Sequence, residues 1–380
     1  MNRLPGTGPT AGHCDWSSSG AGVHLFSVLT PPPFAPASVF SMSSAVNRFC
    51  VHVVRFATLL LATWPAVSSA DVERQHVLVA VGAEGSDEYG SMFRTWAERW
   101  KAAAASANAE IRIIGLDHQP ADKPELTQAL TEWSAISSAE PLWSVLIGHG
   151  TFDGRTARFN LRGPDITAVE TAQLLEESRR PLALISCTSC SAPFINTMSG
   201  PDRVIITATK DGGQFQLSRL GDAMAEAVAG MEADLDRDGQ VSLLEAWAFA
   251  VRRTDEYYSS RGQLATEHAL LDDNGDRRGS RLSAFDGVQL KTDAGISNPD
   301  GRLARRWHLV RSSEERRLTP NQRQRRDQLE IQLEQLQQQR DNYTEADYLD
   351  QLQAVLLPLA RLYAESEDPP QFTEEPAAEP

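Results

Sequence analysis

Five short, largely apolar runs punctuate the chain, at residues 76–81, 110–116, 142–148, 182–186 and 203–207, and polar or glycine-bearing segments separate them. Runs of this length and composition predict strands buried on both faces of a parallel sheet. Between them, apolar positions recur every three or four residues over 91–105, 124–136 and 168–177, which predicts amphipathic helices. Thr167 and Glu170 open the last of these as a capping box. Strands alternating with helices predict an α/β fold, a three-layer, doubly wound sandwich around a mostly parallel sheet. Farther along, Thr319-Pro320 starts a helix carrying Leu329, Leu333 and Leu336, and Thr344 with Asp347 starts another carrying Leu349, Leu352, Leu356 and Leu359. A C-terminal helical hairpin over 311–365 is the simplest arrangement. It is expected to pack on the sheet, or alternatively to receive a protein partner.

The ends of the chain read differently. Residues 1–41 are rich in Gly, Pro and Ser without periodicity, as in a disordered or spurious leader. Residues 42–70 combine Arg48 and Arg55, a short apolar core from Phe56 to Val67 and the small-residue ending Ser68-Ser69-Ala70. That pattern predicts a secretory signal peptide, so the mature protein is expected to be exported, periplasmic or secreted, with no stable membrane anchor after cleavage. The main α/β domain is expected over 71–260, an irregular extension over 261–310, and a disordered acidic tail over 366–380. Cleavage also removes Cys14 and Cys50, leaving Cys187 and Cys190. The net charge of −15 gives no cationic face for nucleic acid. The exception is the Arg-rich stretch from Arg302 to Arg326, which reads as the solvated face of a helix.

Two of the predicted strands end in reactive residues, Leu146-Ile-Gly-His149-Gly150 and Leu184-Ile-Ser186-Cys187. The roughly forty residues between them suit one βαβ unit. In open α/β sheets, chemistry gathers at the carboxyl ends of the strands. A thiol with a pKa of about 8.5 needs a neighbouring base to become a nucleophile. His149 is therefore the expected base, Cys187 the nucleophile and the Gly150 backbone N–H an oxyanion donor. Pro193 predicts a helix start whose dipole would favour the thiolate by about 0.3–1 kcal/mol.

These segments resemble the caspase-like cysteine peptidases, most closely the legumain-type branch, in which a Ser also stands four positions past the nucleophile, as Ser191 does here. Gly148-His149-Gly150-Thr-Phe-Asp-Gly154 and Ser199-Gly-Pro-Asp-Arg-Val-Ile-Ile-Thr-Ala-Thr209 resemble a group of exported bacterial legumain-like proteins. The resemblance, over residues 75 to 260, implies a caspase-like sheet and cleavage of peptide or protein substrates by the His149/Cys187 dyad. Residues 188–191, Thr-Ser-Cys-Ser, depart from the pattern that usually follows the nucleophile. Two alternatives therefore stand beside a cysteine endopeptidase: an inactive caspase-like scaffold that binds peptide or protein, and a thiol–disulfide protein using Cys187 and Cys190.

A second motif follows the last strand. Residues 234–245, Asp-Leu-Asp-Arg-Asp-Gly-Gln-Val-Ser-Leu-Leu-Glu, fit a twelve-residue EF-hand-type loop. Asp234, Asp236, Asp238 and Glu245 supply carboxylates, Gln240 its backbone carbonyl, Ser242 a hydroxyl or a water, and Gly239 the sharp turn. The expected cofactor is structural Ca2+. The acidic stretch 272–276 repeats half of such a loop, but Arg277 stands at the turn position, so an Asx-rich turn is favoured.

Overall fold

The computed structural model describes residues 74–117, 122–291 and 299–366. The signal segment 42–70, Cys14 and Cys50 lie outside the described residues. In chain order the α/β part runs β1 (His76–Val81), α1 (Asp87–Ser106), β2 (Glu110–Ile114), α2 (Lys123–Ser134), β3 (Leu142–Gly148), the short β4 (Gly150–Phe152), β5 (Ala157–Phe159) and β6 (Ile166–Thr167), then α3 (Ala168–Leu174), β7 (Leu182–Thr188), α4 (Pro193–Met198), β8 (Arg203–Thr207), α5 (Leu220–Ala227), α6 (Leu243–Ser259) and β9 (Leu270–Asp272). Beyond these come a two-stranded ribbon, β10 (Phe285–Asp286) and β11 (Gln289–Leu290), and two longer helices, α7 (Pro320–Gln338) and α8 (Glu345–Ser366), which pack on each other.

The main sheet has the order β2-β1-β3-β7-β8-β9. All its pairings are parallel except the last, where β9 lies antiparallel on β8. Strand alternation divides its side chains between two cores. Val79, Val145, Ile147, Ile185 and Cys187 share a cluster with Phe93, Trp96 and Trp100 of α1 and with residues of α5 and α6. Leu78, Leu146, Leu184 and Ile205 share the other with Leu126 and Leu130 of α2 and with Phe194 and Met198 of α4. Both faces being covered explains why β1, β3 and β8 read as continuous apolar runs. Their observed bounds coincide with the predicted ones.

Three differences bear on the site. Strand β7 continues to Thr188, so Cys187 lies inside the strand rather than beyond it. Helix α4 then starts only at Pro193 and spans six residues, so its amino terminus is not at the thiol. Strands β4, β5 and β6 form an unpredicted antiparallel sheet that folds across the end of β3. The capping box at Thr167 and Glu170 is present, reinforced by Lys123, which holds the Glu170 carboxyl down at about 2.

The Arg-rich stretch is not a solvated helix face. Arg326 is 5% exposed and makes a bidentate pair with buried Glu315. Arg311 and Arg323 both bind the buried Glu140 carboxylate, while Arg302, Arg305 and Arg306 converge on Glu334 of α7. These arginines fasten α7 to the segment 302–315 and to the start of β3. Among the described residues, no helix is long and apolar enough to cross a membrane.

Candidate functional site

In this strand order the chain reverses direction between β1 and β3, the place where open α/β sheets form a crevice. His149 leaves β3 at that point, and Cys187 lies on the adjacent strand, with Ile147 opposite Cys187 and Gly148 opposite Thr188. The topology therefore delivers both residues to one sheet end. The His149 ring meets Tyr89 and Phe93 of α1 edge-on, with centroids 5.3 and 5.6 Å away, and its Nε2 lies 3.4 Å from the Glu84 carbonyl. The imidazole is only partly buried.

Cys187 is 0% exposed. It packs in the core beside Gly221, where an added Cβ would come within 2.8 Å of the Trp96 ring and 3.0 Å of the Cys187 Cβ. Trp96 in turn packs on Phe93 with its ring tilted by 54°, and Phe93 meets the His149 ring edge-on. No hydrogen bond joins imidazole and thiol among the described residues. Burial pushes the Cys187 thiol far above the ordinary thiol range, and the buried carboxylate of Glu267 pushes it further. Both effects disfavour the thiolate in this arrangement.

Asn160 lies against the residues that follow β1. The Ala83 N–H donates to the Asn160 carbonyl at 2.9 Å, and a Cβ on Gly82 would lie 2.3 Å from that same oxygen. The Gly150 N–H, the expected oxyanion donor, is buried and donates to Ser189 Oγ at 3.1 Å; the Ser189 hydroxyl donates back to the Gly150 carbonyl at 3.1 Å. Glycine is needed there because a Cβ would strike the Ser189 carbonyl at 2.3 Å. Ser191 likewise accepts from the Ala208 and Thr209 N–H groups at 3.0 and 3.2 Å. Hydroxyls thus satisfy the backbone at the strand ends.

The second thiol faces elsewhere. Cys190 sits at φ 52°, donates its N–H to the Gln214 carbonyl at 2.9 Å, and its sulfur accepts from the Phe152 backbone N–H. Burial raises this thiol too. Cys190 turns toward β4 while Cys187 turns toward α1 and α5, and both are free. A disulfide between them would require the backbone to move.

In the loop 234–245, carboxylate oxygens of Asp234, Asp236 and Glu245 lie within 4.8 Å of one another. Asp234 accepts from the N–H groups of Arg237 at 2.7 Å and Gly239 at 3.1 Å, at the two positions of the turn with positive φ. Glu245 is 1% exposed; its Oε1 accepts from the Leu235 and Asp236 N–H groups, and its Oε2 from the Ser242 N–H and hydroxyl. Asp238 lies outside this trio, its carboxylate accepting from the Gln240 N–H at 3.0 Å and side-chain amide at 3.1 Å. Ser242 caps α6 as half of a capping box with Glu245. Burial, then Glu245 and Asp238, push the Asp236 carboxyl up. Among the described residues, no Lys or Arg forms an ion pair with the trio, although Arg305 lies near enough to Asp236 to oppose that rise, and carboxylates crowded in this way fit a hard cation. The stretch 272–276 behaves as an Asx turn, with Asn274 Oδ1 accepting from the Asp276 N–H at 2.8 Å.

Sequence reasoning made no claim for Glu267, yet it organises the neighbourhood of Cys187. It is 3% exposed and accepts from the Ser218 hydroxyl and the Arg219 N–H at 2.7 Å each, from the Leu220 N–H at 3.3 Å and from the Tyr258 hydroxyl at 3.1 Å. Its partners lie about 10 to 50 residues away in sequence, so no local pattern announces it. Compared with known protein families and with curated proteins, the chain matches none.

Proposed function

We propose that this chain is an exported, calcium-holding protein built on a caspase-like three-layer sandwich with a C-terminal helical hairpin, which binds peptide or protein without cleaving it. The observation that carries this reading is the enclosure of Cys187: a fully buried thiol beside a buried carboxylate, with no hydrogen bond to His149 among the described residues, is disfavoured as a thiolate. The Gly150 N–H, already taken up by the Ser189 hydroxyl, supports it in the same direction. Two exposed apolar side chains, Phe215 at 71% and Leu264 at 92%, stand on loops at the end of the sheet where β8 finishes and β9 begins, and offer contact area for a partner.

Asp234, Asp236 and Glu245, joined by Asp238, the Gln240 carbonyl and Ser242, would hold the ion. Calcium would supply a counter-charge to these carboxylates and fix the entry to α6, with a dissociation constant on the order of 10⁻⁴–10⁻³ M.

The test is hydrolysis of a mixed peptide library by wild type, Cys187→Ala and His149→Ala, with calcium and reductant present. No cleavage by any of the three is expected. Cleavage by wild type that disappears in Cys187→Ala would overturn this reading and restore the endopeptidase.

A further inference from the structure

A cavity of about 210 Å³ lies between α6, the start of β9 and the residues around Leu282. Leu220, Val251, Ala269 and Leu282 form its apolar part, and Thr254 lines it from α6. His268 and the buried Glu267, whose carboxylate is already bonded by Ser218, Arg219, Leu220 and Tyr258, also line it. Thr254 is 5% exposed and its hydroxyl has no hydrogen-bond partner. A buried hydroxyl left this way is costly, and a ligand atom would satisfy it. The cavity also carries one exposed carboxylate, Asp255, and one exposed guanidinium, Arg281. Neither side chain forms an ion pair or hydrogen bond among the described residues. Both lie close enough to His268 to act on its imidazole, in opposite directions. The cavity therefore combines an apolar part with the unsatisfied Thr254 hydroxyl, a buried carboxylate and an imidazole that already have protein partners, and charges of both signs at its edge.

We infer that this cavity binds a free α-amino acid. Arg281 takes its carboxylate, Asp255 its ammonium group, and the side chain enters among Leu220, Val251 and Leu282. The volume suits a medium side chain, since a cavity of about 150 Å³ holds a benzene molecule. Thr254 selects a mostly apolar side chain bearing one hydrogen-bonding atom, as in threonine, methionine or tyrosine. A zwitterion is favoured over a peptide because an internal peptide residue offers neither charge. This inference does not depend on whether the strand ends bind peptide.

The test is calorimetric titration of the full mature chain with single free L-amino acids, then with the N-acetylated and C-amidated forms of the best binder. Binding of at least one member of the named set is expected, with about a tenfold or greater loss on blocking either end. Asp255→Asn and Arg281→Gln should each weaken it by a similar factor while leaving the melting temperature of the ligand-free protein unchanged. Thr254→Val should raise that melting temperature and weaken binding of the hydroxyl-bearing member. The inference is overturned if no member of the set binds at millimolar concentration, or if blocked and free forms bind alike.

Discussion

Gly221 shows how one position decides the character of the Cys187 neighbourhood. Alanine in a helix is ordinarily worth up to about 1 kcal/mol over glycine. Here the added methyl would meet the Trp96 ring at 2.8 Å and Cys187 at 3.0 Å. Gly221→Ala is expected to destabilise the fold by about 1–3 kcal/mol, because the site is already filled. Urea unfolding would measure it, and a gain in stability would show that the thiol has room around it. That the strands carry His149 and Cys187 to one end of the sheet was legible from the apolar runs, although Cys187 proved to lie within β7. Their surroundings were not, since Trp96, Gly221 and Glu267 reach Cys187 from three other elements. The alternation of strand β7 put Cys187 on the inner face, and continuing the run by two residues would have revealed it.

The elements themselves divide by length. Strands β1, β3 and β8 were readable because unbroken apolar residues outlast any loop. Strands β4, β5 and β6, of two or three residues each, fall below what a period of two can register. The arginines of 302–326 were misjudged because Glu140 lies more than 160 residues before Arg311 and only the fold brings them together. Helix α7 accordingly docks through charge as well as through Leu329 and Leu336. Glu315→Leu alone would leave the buried Arg326 guanidinium to the carboxylates of Asp327 at 2.8 Å and Glu330 at 3.7 Å, at a cost below the ~3–5 kcal/mol of a wholly unpaired buried charge. Faster amide exchange in α7 and α8 is the expected signature. Adding Arg326→Met to Glu315→Leu should restore most of the protection; if the single variant exchanges like wild type, the pair does not hold these helices.

For the molecule as a whole, its acidic balance of −15 is not spread evenly over the surface. Asp300 is 4% exposed, and burial pushes its carboxyl up to about 7, with Asp273 and Asp272 adding to the rise against hydrogen bonds from Ser280 and the Asp273 N–H. Burial also raises Asp272, Asp273 and Glu267. An acid shifted this way contributes fully below its unfolded value, about pH 4, and loses that contribution as pH climbs to its folded one. His308 opposes this: burial lowers it to about 4, so its contribution is full above about pH 6.5 and fades as pH falls toward 4. Asp300→Asn should therefore gain stability relative to wild type as pH rises from about 5 to 8. Denaturation at a series of pH values reads this directly, and a difference that stays constant across the series would contradict it.

The antiparallel pairing of β9 with β8 has a consequence for how the chain is born. Residues leave the ribosome in order, so Ile205, Ile206 and Thr207 emerge with one hydrogen-bonding edge vacant and must wait for Leu270 to Asp272 to cover it. Over that interval of roughly sixty residues the nascent sheet presents a sticky margin of the kind chaperones shield. The acidic loop 234–245 and its two flanking helices are synthesised within the same interval, so they are complete before the strand that closes the exposed border emerges.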